Sequence, residues 1–351
     1  MGLFDDVLKN NESIIKNDAA LDFEFLPKNI PFRESEQDYL ATCIKPLFQN
    51  RSGRNLLIHG APGIGKTVAV RFVLRELEEK YDVVDTVYIN CWHHNTSYKI
   101  LMEMCEVLGY RFTHNKKTVD LFKVVAQIIN KKSAVLVFDE IDKAEDLDFL
   151  YFFLEDIHRK SIFLLTNYKS WLIELDTRIR SRLMAEMLEF KSYNLAETKG
   201  ILFERAGYAF HEGVIDSDVL DLIINKTFDI KDIRSGIFLL KESALLAEDN
   251  SRKKIQKEDV LIAIKKLEDF TIKSYEDLDR EAQIVYDIVK SNSGMKIGDL
   301  YDIYKGKGGS ASYKTFQRKI AKLNDSGFIN AKKTTGVGGN TTIVERKLTD
   351  F

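Results

Sequence analysis

The sequence contains few of the residues that mark several common classes of protein. Its three cysteines, at positions 43, 91 and 105, have neither the even count of a disulfide framework nor a metal-like spacing. Only four prolines occur, and no low-complexity tract or repeat is evident. These absences favour a globular protein of a reducing, intracellular compartment, and 351 residues suffice for two or three domains.

Long apolar segments are also missing. The longest uninterrupted apolar run, 134–138, is far too short to span a bilayer. The first sixteen residues are acidic and are interrupted by Asp5, Asp6 and Asn10, which is unlike a secretory signal. We therefore expect a soluble, cytoplasmic protein.

Positive and negative charges nearly balance over the whole chain, but they are unevenly distributed along it. The net charge is only −2, whereas residues 305–347 contain ten basic and two acidic residues and sum to +8. A basic region of this kind is typical of a surface that contacts nucleic acid phosphates.

Short apolar runs alternate with helical patterns in the first half of the chain. Strands are predicted at 55–59, 86–90, 134–138, 161–165 and 187–190. Helical periodicity occupies 68–80, 97–108, 118–130 and 147–158. Alternation of strand and helix indicates an α/β domain with a parallel sheet.

The strand signal stops after residue 191. Amphipathic helices are predicted at 194–210, 217–226, 233–248 and 257–267, followed by a polar segment at 269–279. The remainder has the order helix, helix, helix and two-stranded wing, with the third helix at about 311–326. We predict an α/β nucleotide-binding domain (1–191), an all-helical lid (192–270) and a winged-helix domain (271–351).

Residues 60–67, GAPGIGKT, match the P-loop pattern at every fixed position, with a strand before and a helix after. Such a loop directs backbone N–H groups at phosphate oxygens, while its lysine bridges the β- and γ-phosphates. We expect ATP or ADP to be the cofactor. The predicted nucleotide contacts are Gly60, Ala61, Pro62, Gly63, Ile64, Gly65, Lys66, Thr67 and Val68.

The strand at 134–138 leads directly into Asp139 and Glu140. Asp139, together with the hydroxyl group of Thr67, is predicted to hold Mg²⁺, and Glu140 to orient and deprotonate the attacking water. Asn167 follows the next strand and could contact the γ-phosphate or that water; an Asn there is also a common helix cap.

Together these motifs resemble the AAA+ ATPases, and within them the origin-recognition-complex-like replication initiators of archaea. Four segments carry the closer likeness, at 25–34, 89–98, 175–183 and 232–240. The sequence departs from the family pattern at Thr177, where proline is usual, and at Lys231, where glycine is usual.

The resemblance implies roles for several arginines. Arg33 lies in an entry segment that the family places near the adenine, and Arg234 corresponds to the lid arginine that senses the γ-phosphate. Arg182 matches the arginine finger that acts on a neighbouring subunit, with Arg178 and Arg180 as alternatives. A salt bridge on a solvated helix would equally explain Arg182.

The basic C-terminal region predicts a recognition helix at 312–325, in which Tyr313, Phe316, Ile320 and Leu323 form the buried face. A second contact is implied by the family at 109–117, although a solvent loop would look the same. Docking of another protein is the alternative use of a winged helix. The predicted DNA-contacting residues are Ser312, Lys314, Arg318, Lys322, Lys332, Lys333 and Asn340 in the winged helix, and Arg111, Lys116 and Lys117 in the loop.

These features predict an ATP-dependent initiator of DNA replication, associated with the nucleoid, that binds double-stranded origin DNA and helps recruit or load the replicative helicase. Hydrolysis would act as a slow switch, and other initiator copies would be partners. A nucleotide-regulated transcription or plasmid-replication regulator is the alternative, and a clamp-loader-like ATPase is disfavoured by the basic winged helix.

Overall fold

The computed structural model describes residues 13–276, 278–309, 311–325, 328–336 and 339–346. The chain divides into two compact units. The first contains Lys16–Ala209 and Thr227–Ile233, and the second contains Phe210–Lys226 with the described parts of 1–15 and 234–351. Among the described residues, no helix has the length and apolar content that crossing a membrane requires.

The first unit is built on a five-stranded parallel sheet, which confirms the predicted α/β class. Its strands are β1 (Leu56–His59), β2 (Val84–Asn90), β3 (Ser133–Asp139), β4 (Lys160–Thr166) and β5 (Glu186–Glu189). Their order across the sheet is β2-β3-β4-β1-β5. The carboxyl ends of β1, β3 and β4, where the predicted nucleotide-site residues lie, are therefore neighbours.

The described part of this unit contains eight α-helices. They are α1 (Glu34–Ile44), α2 (Lys66–Lys80), α3 (Ser97–Val107), α4 (Thr118–Ile129), α5 (Asp148–Asp156), α6 (Trp171–Glu174), α7 (Thr177–Leu183) and α8 (Leu195–Ala209). Side chains of β3 alternate between two cores: Leu136 and Phe138 pack with α3, α4 and α5, whereas Val135 and Val137 pack with α1 and α2. Residues 134–138 of this strand are all apolar because helices cover both of its faces.

The second unit begins with three helices, α9 (Ser217–Ile230), α10 (Ile233–Asp249) and α11 (Lys257–Glu276). The end of α9 and the turn into α10 belong to the first unit. The elements that follow are α12 (Arg280–Ser291), β6 (Met295–Lys296), α13 (Ile297–Gly306), α14 (Tyr313–Asp325), β7 (Ile329–Gly336) and β8 (Gly339–Arg346). The three strands are antiparallel and pair in the order β6-β8-β7, and the assignment of this region as a winged helix stays a prediction.

Two expectations about this unit were wrong. The helix predicted at 257–267 continues to Glu276 as α11, because residues 268–276 contain neither proline nor glycine to end it. Tyr313 was expected to be buried but is 39% exposed, since it occupies the first turn of α14 and its ring lies edge-on against Tyr301. The division into three domains at 191 and 270 remains a prediction.

Candidate functional site

The P-loop connects β1 to α2 and has a backbone shape that requires glycine. Gly63 and Gly65 adopt positive φ angles of 66° and 88°. A Cβ atom on Gly63 would lie 1.9 Å from Oδ1 of Asp232, and one on Gly65 would lie 2.5 Å from the hydroxyl oxygen of Tyr193. Side chains from two other segments therefore pack directly against this loop.

Lys66 lies at the beginning of α2, and its ammonium group connects two predicted parts of the site. Nζ donates hydrogen bonds of 2.8 Å to the carbonyl oxygens of Gly60 and Ala61 and to Oδ1 of Asn167. Asn167 directly follows β4, which is the neighbour of β1 in the sheet. The strand order thus places Lys66 and Asn167 together, at the point where the γ-phosphate of a bound nucleotide is expected.

Asp139, at the end of β3, is buried and accepts three hydrogen bonds. Oδ2 accepts from the hydroxyl groups of Thr67 and Tyr88, at 2.6 and 2.8 Å, and Oδ1 accepts from the backbone N–H of Glu140 at 2.8 Å. Carboxylate and hydroxyl oxygens are the ligands that Mg²⁺ prefers, and a nucleotide-bound Mg²⁺ usually takes only one or two from the protein. The pair Thr67 and Asp139 therefore fits a magnesium site.

Sequence reasoning missed Tyr88. It lies on β2, which pairs with β3. Burial, and to a smaller extent the negative charge of Asp139, raises the pKa of its hydroxyl group. The phenol consequently remains protonated and donates to the carboxylate. The signal was present in the sequence as a tyrosine two residues before the end of a strand, but its relation to Asp139 depends on β2 pairing with β3.

Glu140 follows Asp139 with a φ of 50°, in the left-handed region that residues other than glycine rarely adopt. A residue held in this conformation immediately after the sheet is consistent with a constrained functional position. Pro62 and Val68, the remaining predicted contacts of the loop and of α2, are half-buried.

The arginines on α7 are solvent-exposed and make local contacts. Arg182 forms an ion pair with Glu155 of α5, and its guanidinium lies 5.1 Å from the ring centroid of Tyr151. Arg178 pairs with Asp176 at 3.2 Å.

Arg180 Nη1 donates to the carbonyl oxygen of Ile173 at 3.4 Å. The choice of arginine finger among these three residues stays open. Arg234, the predicted lid arginine, is a half-buried residue of the second unit in the first turn of α10.

One face of α14 is basic and exposed, and the opposite face is buried. Phe316, Ile320 and Leu323 are at most 2% exposed and belong to a hydrophobic core that they share with α12 and α13. The predicted contacts Lys314, Arg318 and Lys322 are all exposed on this helix.

Ser312 precedes α14, and its hydroxyl oxygen accepts a hydrogen bond from the backbone N–H of Thr315 at 3.3 Å. A fourth basic residue of the helix, Lys319, is instead held by Asp279 at 3.1 Å and Glu281 at 3.3 Å. The side chains of Lys332, Lys333 and Asn340, in the predicted wing, lie outside the described residues.

The loop between α3 and α4 contains the other predicted DNA contacts. Arg111 and Lys117 are exposed, whereas Lys116 is half-buried with its ammonium 5.9 Å from the ring centroid of Tyr110. Phe112 is 80% exposed at the same loop. The loop is therefore an accessible surface that combines basic and aromatic side chains.

Comparisons with known proteins agree with this architecture. An AAA domain model matches residues 49–167, and a Cdc6 AAA+ ATPase-type lid domain model matches residues 199–265. ORC1-type DNA replication protein 1 of Sulfolobus acidocaldarius is 30% identical over 320 residues, which cover 86% of this chain and 80% of the relative. ORC1-type DNA replication protein 2 of Methanothermobacter thermautotrophicus is 27% identical over 357 residues, which cover 97% and 93%.

The solved structures lead to the same family. The Aeropyrum pernix ORC1 protein, determined in complex with DNA, has a TM-score of 0.71 and 25% identity, with 97% of this chain and 95% of that chain covered. The ADP form of Aeropyrum pernix ORC2 has a TM-score of 0.70 at 19% identity, with 95% and 94% covered, and supports the fold. The chain therefore belongs to the family of ORC1-type DNA replication proteins, and it is an AAA+ ATPase.

Proposed function

We propose that this replication protein binds double-stranded origin DNA and helps recruit or load the replicative helicase. The observation that carries the proposal is the row of exposed basic side chains on α14, Lys314, Arg318 and Lys322, within a winged-helix arrangement. A helix of this kind suits entry into the major groove, and lysine and arginine contacts to phosphates supply most of the affinity for DNA. The complex of the Aeropyrum pernix ORC1 relative with DNA supports the same use here.

Further DNA contacts are proposed on both sides of this helix. Ser312 would contact a phosphate at its beginning, and Lys332, Lys333 and Asn340 of the wing would reach the adjacent groove or backbone. Arg111, Lys116 and Lys117 would form a second contact from the ATPase unit. In that case nucleotide state and DNA binding would be linked within one domain. The domain limits at 191 and 270 are part of the proposal.

The nucleotide is proposed to act as a slow switch. Lys66 would hold the phosphates, Thr67 and Asp139 would hold Mg²⁺, and Glu140 would deprotonate water oriented with the help of Asn167. Bound Mg²⁺ would neutralise charge on the phosphates. Arg234 from the lid and Arg182 from another initiator copy would make hydrolysis depend on conformation and assembly.

A footprint on DNA tests this function directly. Wild-type protein with ATP should protect repeats at a replication origin, and the pattern should change when ADP replaces ATP. Helicase association with the same DNA should require the protein and ATP. Protection confined to promoters, with origins unprotected, would instead support a transcription regulator and contradict the proposal.

A further inference from the structure

Arg33 makes several hydrogen bonds around the P-loop. The residue is 4% exposed, and Nη2 donates to the carbonyl oxygens of Ile64 at 2.9 Å and Lys191 at 2.6 Å. Nε donates to the hydroxyl oxygen of Tyr193 at 3.1 Å, and Nη1 pairs with Glu36 at 3.1 Å. One guanidinium thus joins the segment before α1, the P-loop and the segment before α8.

The bond to Ile64 determines how the P-loop backbone is oriented. A trans peptide is planar, so its carbonyl and its N–H point in opposite directions. Because the carbonyl of Ile64 points at Arg33, the N–H of Gly65 points to the other side of the loop. The carbonyl of Gly63 is held in the same way by the backbone N–H of Ile233 at 3.1 Å, which orients the N–H of Ile64.

Tyr193 reinforces this arrangement. Its ring centroid lies 3.9 Å from the Arg33 guanidinium, and its hydroxyl group packs against Gly65. Burial raises the pKa of Tyr193, so the hydroxyl group stays neutral where it contacts the guanidinium. The planar fork of arginine can serve several acceptors at fixed angles, which the single ammonium of lysine cannot.

We infer that Arg33 is a positioning residue for phosphate binding, which acts by holding the outer face of the P-loop so that the N–H groups of Ile64 and Gly65 converge on the nucleotide phosphates. The family resemblance implied a place near the adenine for this residue. The hydrogen bonds assign it instead to the phosphate end of the site, and it acts there through the backbone and without touching the ligand.

The two assignments, to the phosphate end or to the adenine, predict that different ligands bind more weakly when Arg33 is replaced. ADP, which needs the phosphate-binding N–H groups, should bind Arg33→Met about tenfold or more weakly in EDTA, whereas adenosine should bind as it does to wild type. Calorimetry or competition with both ligands on the same preparation gives the ratio of the ADP affinity to the adenosine affinity. The ratio is unaffected by any unfolded fraction, because that fraction lowers both affinities equally.

Arg205 provides a matched control in the same unit. It is 7% exposed, donates to the carbonyl oxygen of Ala20 at 3.1 Å and lies 4.9 Å from the ring centroid of Phe25. Arg205→Met therefore removes a similarly buried guanidinium that holds a different segment. It should leave the ratio of ADP to adenosine affinity unchanged.

Arg33→Lys is the second variant if Arg33→Met does not fold, and its ADP affinity should also fall while adenosine binding persists. Equal losses for ADP and adenosine would overturn the inference in favour of a contact to the base. Unchanged ADP affinity would overturn it as well, since the loop would then keep its shape without Arg33.

Discussion

The hydroxyl oxygen of Tyr88 lies 2.8 Å from Oδ2 of Asp139, the oxygen that also accepts a hydrogen bond from Thr67. Tyr88 belongs to β2 and Asp139 to β3, so pairing of these strands fixes the orientation of the carboxylate. Groups that support a metal ligand in this way fix its orientation and tune its affinity. Tyr88 is accordingly part of the proposed magnesium site although it is not a ligand.

Tyr88→Phe removes this donor and retains the ring. We expect ATP turnover to fall by about tenfold or more and its Mg²⁺ requirement to rise, because a hydrogen bond to a carboxylate contributes ~1.5–3 kcal/mol. ADP affinity in EDTA should not change. Hydrolysis rates over a Mg²⁺ titration measure the first effect, and calorimetry measures the second.

The control for this variant is Tyr208→Phe, which removes a hydroxyl group that donates to Glu204 on the same helix. Its Mg²⁺ dependence should match that of wild type. A wild-type Mg²⁺ dependence in Tyr88→Phe would remove Tyr88 from the site.

Lys66→Ala should abolish ATP binding. The substitution removes the cation that would face the phosphates, two hydrogen bonds within the P-loop and one that connects the loop to Asn167. Binding of a fluorescent ATP analogue measures the effect, with Lys80→Ala at the exposed end of α2 as the control. Retained nucleotide affinity would refute the proposed site.

Arg318→Ala should weaken DNA binding and reduce the slope of log Kd against log salt by about one, because one phosphate contact is lost. Lys319→Ala is the matched control on the same helix. Its ammonium is already paired with Asp279 and Glu281, so the slope should stay unchanged while thermal stability falls. A slope that changes with Lys319 but not with Arg318 would contradict this view of the basic face.

Arg182→Ala should slow hydrolysis by assembled copies on DNA and leave the nucleotide affinity of the isolated protein intact. The ion pair that it loses, with Glu155, is half-exposed, so little stability is at stake. Mixing this variant with Lys66→Ala protein tests whether the arginine acts on a neighbour's nucleotide. If Arg178→Ala slows hydrolysis by assembled copies on DNA and Arg182→Ala does not, the finger is Arg178.

Most of the strongly patterned elements could be predicted from the sequence to within about two residues, whereas α9 extends four residues and α11 nine residues beyond the predicted ends. Residues 134–138 are apolar throughout and occupy β3, which is buried along its whole length. Short elements such as α6 and β6 were not predicted, because four and two residues are too few to establish a period. Burial of Tyr313 was wrongly predicted because helical periodicity shows which residues share a face but not whether another element covers the first turn of α14.

The sequence by itself determined the chemistry of the site: the glycines and Lys66 of the P-loop, the acids after β3, and the basic character of α14. Tertiary structure alone decided which of these groups meet. Strand order brings Asn167 to Lys66 and Tyr88 to Asp139, and the fold brings Arg33 to the carbonyl oxygen of Ile64. The physical reason is that residues 31 to 101 positions apart are brought into contact by sheet pairing and packing, which local periodicity does not encode.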